Sequence, residues 1–268
     1  MNATGNGGRA AGENVTLTLE QGGVAVITMD YQARRNALSL PLRQGLYDRL
    51  AEAMDSPDCR VIVLTGAGGC FCSGGDISSM EGLDGFGGRA RLQRVHRLMR
   101  LLLEGEKPVI AAVEGWAVGA GLTLAAACDM VVAARDARFA CSFNKIGLAP
   151  DLGAAYVLPL RMGMGRARQV MMVGDTFDAE RAAAWGLVEQ VCDSGRALDE
   201  ALGLAARLAE VAPLALGVTK ALLARMPASL DAMLKAEADA QSLLFTTGDF
   251  AEGRAAFLAK RTPRFQGR

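Results

Sequence analysis

The spacing of hydrophobic positions changes several times along the chain, and each change predicts a different kind of element. Residues 15–20 and 24–29 alternate or run apolar on either side of a Gly-Gly pair, which predicts a β-hairpin. After Ser39, a residue type that caps helix starts, leucines recur at helical spacing. Apolar runs at 60–65 and 108–113 have the length of buried strands. Strands and helices therefore alternate here, as in an α/β fold.

Helical spacing dominates the second half of the chain. One amphipathic helix before it has a predicted inner face at Leu92, Val95, Leu98, Met99, Leu102 and Leu103. Further helices are predicted from about 151–154 and at 166–173, 178–185, 198–211, 213–223, 230–244 and 250–258. Asp249 and Glu252 have the spacing of a capping box. A change of composition near residue 195 divides a predicted core, 14–195, from a helical region, 196–268, and residues 1–13 are expected to form a flexible tail.

The charge balance and the cysteines restrict the kinds of function. The chain has 268 residues with 29 basic and 29 acidic side chains, so its formal net charge is zero. Without a basic excess, neither nucleic acid nor an anionic membrane is an expected partner. The six cysteines follow neither metal-ligand spacing nor a disulfide framework, so we expect no metal site and reduced, buried thiols. The first residues lack the apolar segment of a signal peptide, and we expect a cytoplasmic protein.

Two glycine-rich loops, 66–77 and 115–121, each follow a predicted buried strand. In the second loop a strand passes into a helix through Gly119 and Gly121, where backbone N–H groups can approach a ligand because no Cβ stands in the way. Such groups suit an anion or an oxyanion. The alternative is that these glycines only permit a tight turn and close helix packing. The small, polar segment 79–88 is expected to be mobile.

Four segments, taken together, carry a resemblance to a known family. They are 71–77, 113–121, 146–153 and 256–265, and their order and spacing are more specific than any one of them. On these segments the chain resembles the crotonase superfamily, the enoyl-CoA hydratase and isomerase proteins. The resemblance implies an α/β fold, a crotonase-like spiral of ββα units with a C-terminal helical trimerisation region. A homotrimer, or a hexamer of paired trimers, is the expected assembly.

The same resemblance implies an acyl-CoA thioester as the substrate, with CoA as part of it and no separate cofactor. The N–H groups of Gly75 and Ala120 would hold the thioester oxygen, where negative charge develops in an enolate-like transition state. Arg34 or Arg35 would lie near the phosphates, and Phe257 and Lys260 would reach CoA from the chain end, within one subunit or across a subunit boundary. The implied substrate- and CoA-binding residues are Arg34, Arg35, Ser73, Gly74, Asp76, Ile77, Ser78, Phe257 and Lys260.

The carboxylates distinguish the possible reactions. Hydratases of this family use two glutamates, but the corresponding positions here are Thr123 and Phe143, neither of which can titrate. Asp151 stands where several family isomerases and a dehalogenase carry their working aspartate. One carboxylate suffices for a 1,3-shift, because it can take a proton from one carbon and return it at another. The alternative role for Asp151, which follows Pro150, is to cap the helix that begins there.

The residues around Asp151 predict its protonation. Phe143, Ile146, Leu148 and Leu152 form an apolar surrounding, which should raise the pKa of Asp151 and strengthen it as a base. The resemblance thus favours an enoyl-CoA isomerase, in which Asp151, Gly75 and Ala120 are the catalytic groups. An atypical hydratase, another CoA-thioester reaction and a non-catalytic acyl-CoA-binding protein remain as alternatives.

Other polar residues are weaker candidates. His96, the only histidine, lies near the inner face of its helix, and a structural or solvent-edge role is favoured over catalysis. Glu81 and Asp84 are reserve candidates for a second acid. Asp76 and Asp129 are expected to be hydrogen-bonded structural carboxylates.

Two further motifs are set aside. Ser73 with His96 and Asp151 could suggest a hydrolytic triad, but Ser73 lacks a Gly-x-Ser-x-Gly surrounding. The glycines at 119–121 do not continue as a dinucleotide fingerprint, because Leu124 occupies the third glycine position. The sequence therefore favours neither a serine hydrolase nor a Rossmann cofactor site.

Overall fold

Two sheets form the centre of the fold. A computed structural model describes residues 13–226 and 228–268, so residues 1–12 of the expected tail lie outside the described residues. The larger sheet has the strand order β1-β2-β3-β4-β6-β9, and the smaller sheet has the order β5-β7-β8. The strands are β1 (Asn14–Glu20), β2 (Val24–Asp30), β3 (Val61–Gly66), β4 (Val109–Val113), β5 (Trp116–Val118), β6 (Met130–Ala134), β7 (Arg138–Ala140), β8 (Thr176–Asp178) and β9 (Gln190–Cys192).

The predicted hairpin is confirmed, and the strands that follow it are parallel. Strands β1 and β2 pair antiparallel with Asn14 opposite Asp30. From β2 to β9 each neighbouring pair in the larger sheet is parallel. The mixed α/β architecture expected from the sequence is therefore present. Because β3 and β4 run in the same direction, the chain leaves both strands at one edge of the sheet, where the two glycine-rich loops begin.

Helices cover both faces of the larger sheet. Helix α1 packs against β1 and β2, and α6 packs against β3, β4 and β6. The face under α6 has its own apolar core, in which four alanines of α6 at four-residue spacing, Ala197 to Ala209, are buried. The helices are α1 (Leu40–Asp55), α2 (Gly85–Glu104), α3 (Ala120–Ala127), α4 (Ala154–Val173), α5 (Ala179–Ala184), α6 (Ala197–Ala209), α7 (Pro213–Leu223), α8 (Leu230–Leu244) and α9 (Gly248–Ala259).

Helix α6 lies on the C-terminal side of the boundary that composition suggests, yet it packs against the sheet of the predicted core. The division between residues 195 and 196 assigns α6 to the C-terminal region, but α6 is the helix that covers one face of the sheet. The assembly role of that region stays a prediction. Across the part of the chain that the structure describes, no single helix is long and apolar enough to cross a bilayer, and α6 and α7, which meet those criteria only together, are bent by 109°.

Two short strands differ from the sequence expectations. Strands β8 and β9 have three residues each, which is too short for a hydrophobic period to show; they exist because β7 and β6 supply pairing partners. The range of α4, Ala154–Val173, is interrupted at Gly163, whose φ of 75° is non-helical and marks a kink. The separate helices expected on either side of Gly163 are thus confirmed, as two helical parts joined at this kink.

The capping box predicted at Asp249 and Glu252 is wrong. Thr247 caps α9 instead, because its Oγ1 accepts from the N–H of Phe250 at 3.1 Å. Asp249 accepts from the N–H groups of Gln266 and Gly267 at 2.6 and 2.8 Å. Asp249 thus binds the C-terminal end of the chain, and Glu252 pairs with Arg261. The spacing of these two acidic residues therefore reflects tertiary contacts and not a helix cap.

The segment 79–88 is mostly exposed and connects a short 3₁₀ helix to α2. A 3₁₀ helix spans Ile77–Met80, and α2 begins at Gly85 with the Asp84 side chain as its N-cap. Its expected mobility stays a prediction. Along α2 the predicted inner face is largely confirmed, since Val95, Leu98, Met99 and Leu102 are buried and Leu92 and Leu103 are partly buried.

Candidate active site

A small cavity of about 80 Å³ lies between the two glycine-rich loops. It gathers the groups expected to do the chemistry, Gly75, Ala120 and Asp151, which lie far apart in sequence. The remaining lining residues are Arg43, Ser73, Gly74, Ile77, Met80, Gly119, Ser142, Phe143, Ile146 and Leu148. The sequence did not suggest Arg43.

Backbone pairing holds the first loop against the second. Cys72 donates its N–H to the carbonyl of Trp116 at 2.8 Å, and Val118 donates to the carbonyl of Cys72 at 3.0 Å. Beyond this short ladder the chain reaches Gly75 on one side and Ala120, the first residue of α3, on the other. Within the described residues neither N–H group donates to a protein acceptor. Both are therefore free to donate a hydrogen bond to a ligand in this cavity.

Close packing at Gly121 fixes the distance between the loops. A Cβ built on Gly121 would lie 2.3 Å from the carbonyl oxygen of Cys72, so no other residue fits without movement. Gly119 has a φ of 54°, a conformation that favours glycine. These glycines thus do permit a turn and close packing, the structural role that the sequence offered as the alternative, and a further role in binding an oxyanion stays a prediction. That packing is also what brings the N–H of Ala120 to the cavity.

Asn36 supports the first loop, a role that the sequence did not suggest. It is fully buried with a φ of 57°. Its Nδ2 donates to the carbonyls of Ala67 at 2.9 Å and Cys70 at 2.6 Å, and its Oδ1 accepts from the N–H of Tyr31 at 2.8 Å. Asparagine tolerates this left-handed conformation, and its amide can form hydrogen bonds with the two carbonyls and the N–H group at once. In the sequence, the feature that could have pointed to this role is an asparagine shortly before an apolar helix.

The Ser73 side chain is bound to the neighbouring loop. Its Oγ donates to the carbonyl of Arg34 at 2.9 Å, and its N–H donates to the carbonyl of Arg35 at 3.0 Å. His96 is exposed on α2 and does not line this cavity, so its predicted place near the inner face is wrong. The structure therefore brings together no Ser73, His96 and Asp151 triad.

Asp151 lies in the cavity wall with one carboxylate oxygen unsatisfied. Its Oδ1 is buried and has no hydrogen-bond partner among the described residues. Gly153 occupies the N-cap position of α4, and Asp151 contributes only its carbonyl, which accepts from Ala154. The proposed capping role for the Asp151 side chain is therefore wrong.

Burial and charge act in opposite directions on Asp151. Burial raises the pKa of its carboxyl above the ordinary value of 3.8, and the positive charges of Arg43, Arg91 and His96 partly counteract this rise. The predicted direction is thus confirmed. Phe143, Ile146 and Leu148 contribute to the cavity wall as expected.

Arg43 is a buried cation in the same cavity. Its side chain is on α1, 6% exposed, and its Nε donates to the carbonyl of Leu38 at 2.8 Å. Burial, reinforced by nearby Arg91, lowers the pKa of Arg43 to about 10. In the sequence, the burial of Arg43 could have been suspected because this charged residue stands three positions before Leu46, on the apolar face of a predicted helix.

The reserve candidates lie outside the cavity. Glu81 and Asp84 are exposed, and Asp84 is occupied as the cap of α2. Thr123, at one of the two glutamate positions of hydratases, is buried and donates its hydroxyl to the carbonyl of Gly119 at 3.2 Å. Phe143, at the other, lines the cavity.

Asp76 and Asp129 are hydrogen-bonded within the fold, as expected. Asp76 Oδ1 accepts from the N–H and the hydroxyl of Ser78 at 3.1 and 2.7 Å. Asp129 Oδ2 accepts from the N–H of Val109 and pairs with Lys220, both at 2.7 Å. In the part of the chain that the structure describes, no three His, Cys, Asp or Glu side chains are grouped to ligate a metal. All six cysteines are buried and free.

The residues expected to bind CoA occupy two regions. Arg34 and Arg35 are exposed beside the first loop, and Ile77 and Ser78 are exposed at its end. Phe257 and Lys260 lie on and just after α9, are exposed, and do not line the cavity of this chain. Their roles in CoA binding stay predictions.

Comparison with known proteins assigns the family. The Enoyl-CoA hydratase/isomerase family matches residues 19–268. The chain belongs to this family. It is 37% identical to the 1,2-epoxyphenylacetyl-CoA isomerase of Escherichia coli (strain K12), over 92% of this chain and 96% of that protein. It is 34% identical to a crotonyl-CoA hydratase of Syntrophomonas wolfei, over 94% and 98%.

Solved structures agree with this assignment. The crystal structure of an enoyl-CoA hydratase from Bacillus anthracis superposes with a TM-score of 0.91 at 30% identity, over 96% of this chain and 100% of that chain. The chain therefore has the crotonase fold and is an enoyl-CoA hydratase/isomerase family enzyme that acts on an acyl-CoA thioester.

Proposed function

We propose that this family member is an enoyl-CoA isomerase in which Asp151 transfers the proton. The observation that carries the proposal is that, of the described residues that line the cavity of Gly75 and Ala120, Asp151 is the one with a carboxylate. Its Oδ1 has no protein partner in the described chain, so it is available to a substrate C–H. No second acid is found among the described residues that line the cavity, so a water there would lack the second carboxylate of the hydratase route.

The proposed reaction is a 1,3-shift of a carbon–carbon double bond. The thioester oxygen accepts hydrogen bonds from the N–H groups of Gly75 and Ala120. Asp151 takes a proton from C2 of a 3-enoyl thioester, and the electron pair of that C–H bond delocalises into a dienolate with its charge on the thioester oxygen. The Asp151 carboxyl then returns the proton at C4, which leaves a 2-enoyl thioester. The N-terminus of α3 behind Ala120 further stabilises the negative charge.

Hydration by the two-glutamate route has no support in this site. Thr123 donates its hydroxyl to the backbone and Phe143 is apolar, so neither can activate water. The relatives include both a hydratase and an isomerase, and the isomerase from Escherichia coli supports a non-hydrating reaction on this scaffold. A purely CoA-binding role is less well supported, because two free N–H groups and an unpartnered carboxylate converge on one cavity.

Binding of the CoA portion forms part of the same proposal. Arg34 and Arg35 carry exposed positive charge beside the loop that holds Gly75, where they suit the CoA phosphates. Phe257 and Lys260 are exposed and do not line this cavity of their own chain, so their contribution would come from a neighbouring subunit of a homotrimer.

The test is an assay of the isomerisation of a 3-enoyl-CoA to the conjugated 2-enoyl-CoA, in which the absorbance of the product is monitored. Asp151→Asn should lower kcat by about 10²- to 10⁴-fold, the range for loss of a general base. The matched control is Asp175→Asn, at an exposed aspartate outside the cavity, which should retain wild-type rates. Full activity in Asp151→Asn would overturn the assignment. Hydration by the wild type that is lost in Glu81→Gln or Asp84→Asn would replace it with the hydratase alternative.

A further inference from the structure

Arg43 has a buried guanidinium group with unused hydrogen-bond donors. Among the described residues, only its Nε has a protein acceptor, the carbonyl of Leu38. Its Nη1 is buried without a partner, and its Nη2 lies 3.3 Å from the position that a Cβ on Gly75 would occupy. The proposed isomerisation does not use Arg43. The Arg43 side chain is more than nine-tenths buried. Its guanidinium group needs a further hydrogen-bond acceptor, because a buried charge without a partner costs free energy.

The nearby protein carboxylates do not supply that acceptor. Asp151 and Asp76 are close enough to influence the charge of Arg43, yet neither forms an ion pair with it within 4.0 Å among the described residues. Asp76 Oδ1 is already bound by Ser78, and Asp151 faces the reacting carbons in the proposed mechanism. The missing acceptor is therefore expected to arrive with the substrate.

A second cavity, of about 240 Å³, adjoins Arg43 between α1 and α2. Its walls include Arg43, Arg91, Arg94 and Arg97, and no acidic residue lines it. Arg91 donates to the hydroxyl of Ser79 at 2.9 Å, but none of the four arginines forms an ion pair in the described part of the chain. Arg43 lines both cavities, so the cavity of Gly75, Ala120 and Asp151 adjoins a strongly positive region.

We propose that the acyl group of the substrate ends in a carboxylate and that Arg43 binds this carboxylate. The preferred substrate class is thus the mono-CoA thioester of a dicarboxylic acid. This inference rests on the proposed function, because the proposed function places the acyl chain beside Asp151. The two terminal nitrogens of arginine match the two oxygens of a carboxylate, so one side chain both neutralises and orients the chain end.

The chemistry favours a carboxylate over an alkyl end. A methyl group at Arg43 would strip water from the guanidinium and return no hydrogen bond, whereas a carboxylate replaces that water with a charged acceptor. The second cavity has four arginines in its wall, while Asp76 and Asp151 are the acidic groups that influence Arg43. The positive charges in this region therefore still outnumber the negative ones when one substrate carboxylate is added.

Binding of saturated thioesters tests the inference without relying on any reaction. Butyryl-, hexanoyl- and octanoyl-CoA are each compared by calorimetry with the CoA thioester of the dicarboxylic acid of equal carbon number. For at least one length the wild type should bind the dicarboxylic thioester about 10- to 100-fold more tightly, the gain expected for a charged hydrogen-bonded pair. Equal or weaker binding of the dicarboxylic thioester at all three lengths would overturn the inference.

Substitution of Arg43 identifies the residue responsible. Arg43→Met, of similar length and without charge, should abolish the preference, and Arg43→Lys should keep part of it. The matched control is Arg49→Met on the same helix, since Arg49 lines neither cavity and pairs only with Glu52 at the surface. Circular dichroism establishes that the variants are folded; a wild-type preference that persists in folded Arg43→Met would contradict the role of Arg43.

Turnover of 3-enoyl thioesters separates failure of this inference from failure of the proposed isomerase. If both the alkyl and the dicarboxylic 3-enoyl-CoA of one length are isomerised equally well, the isomerase stands and the substrate class is wrong. If neither is isomerised but the saturated dicarboxylic thioester still binds preferentially through Arg43, the substrate class stands and the proposed reaction is wrong.

Discussion

Single buried charges determine the chemistry that this site can perform. Asp151 is pushed towards its neutral form by burial and towards its ionised form by Arg43, Arg91 and His96, with burial the largest influence. Asn36 contributes in another way, since its three hydrogen bonds hold the loop that carries Gly75. At this scale the sequence identified Asp151 but neither Arg43 nor Asn36.

The pH dependence of kcat/KM should follow the ionisation of Asp151. Because the carboxylate must be ionised to accept a proton, kcat/KM for isomerisation should rise with pH, with its midpoint above the ordinary value of 3.8. Arg91→Met removes a positive charge that lowers the pKa of Asp151, so the midpoint should move to higher pH. Arg100→Met on the same helix, where Arg100 pairs with Glu104, is the control and should leave the midpoint in place. A midpoint that moves downwards in Arg91→Met would contradict this account.

The same pKa shift predicts the stability of Asp151→Asn. Since the folded protein binds the Asp151 proton more tightly than the unfolded chain does, the free energy of unfolding falls as pH rises from 3.8 through the raised pKa. Asparagine removes this titration, so the variant should melt at a higher temperature than the wild type at neutral pH. The difference should disappear when the pH is lowered below 3.8. Thermal denaturation at several pH values measures it, and a variant less stable than the wild type at pH 7 would refute the prediction.

At the scale of elements, the contact between the two glycine-rich loops creates the candidate oxyanion site. Strand β5 pairs with the chain around Cys72, and α3 begins where that pairing ends. Both loops could be found from the sequence because glycines follow apolar runs. Their mutual contact could not, because the hydrogen bonds between them join residues about 45 positions apart.

Gly121→Ala should damage the site through this contact. The added Cβ would meet the carbonyl oxygen of Cys72 at 2.3 Å, so the loops must separate. We expect a loss of about 1–3 kcal/mol in the free energy of unfolding, the cost of overpacking a close contact. Displacement of the Ala120 N–H should also lower kcat by about 10²-fold, as for loss of one oxyanion donor.

Gly203→Ala is the matched control for this glycine. Gly203 lies inside α6 with nothing within 4 Å of a built Cβ. Alanine there should leave kcat unchanged and raise stability by about 0.4–1 kcal/mol, through a reduced entropy of the unfolded chain. Chemical denaturation and steady-state rates of the two variants separate the effect of the close contact at Gly121 from the general effect of replacing a glycine with an alanine. Equal kcat values in both variants would contradict the proposed role of the contact.

At the scale of the whole molecule, ion pairs and returning chain segments attach the C-terminal helices to the sheet. Lys220 of α7 is 6% exposed and pairs with Asp129 at the start of β6, and it also donates to the carbonyl of Lys107 at 2.9 Å. Arg60, before β3, donates to the carbonyls of Ala209 and Phe265 at 2.9 and 2.8 Å. Residues on both sides of the predicted boundary at 195 therefore share one interior.

Lys220→Met tests this attachment. Removing the cation leaves the Asp129 carboxylate without its partner, and breaking a buried pair in this way costs about 3 kcal/mol. Lys235→Met on α8 is the control, because Lys235 is exposed and belongs to none of the ion pairs found among the described residues. Denaturant titration should show a lower midpoint for Lys220→Met alone. A midpoint equal to that of the control would show that α7 is held by packing and not by this pair.

The sequence by itself determined the local elements and the family of this protein. Hydrophobic spacing located the hairpin, α1, α2 and the C-terminal helices, because burial of one face of a strand or helix requires a local period. The four family-like segments indicated the crotonase fold, and the absence of both hydratase glutamates directed attention to Asp151. All of these signals lie within short stretches of chain.

Only the tertiary structure decided what surrounds Asp151. Several features depend on partners distant in sequence. They are the three-residue strands β8 and β9, the roles of Asp249 and Glu252, and the place of Arg43 in the cavity of Asp151. A charged side chain in an apolar helical face does not reveal from its sequence position whether it reaches solvent or a cavity. The free energy of burying Arg43 depends on the groups packed around it, and those groups come from different parts of the fold.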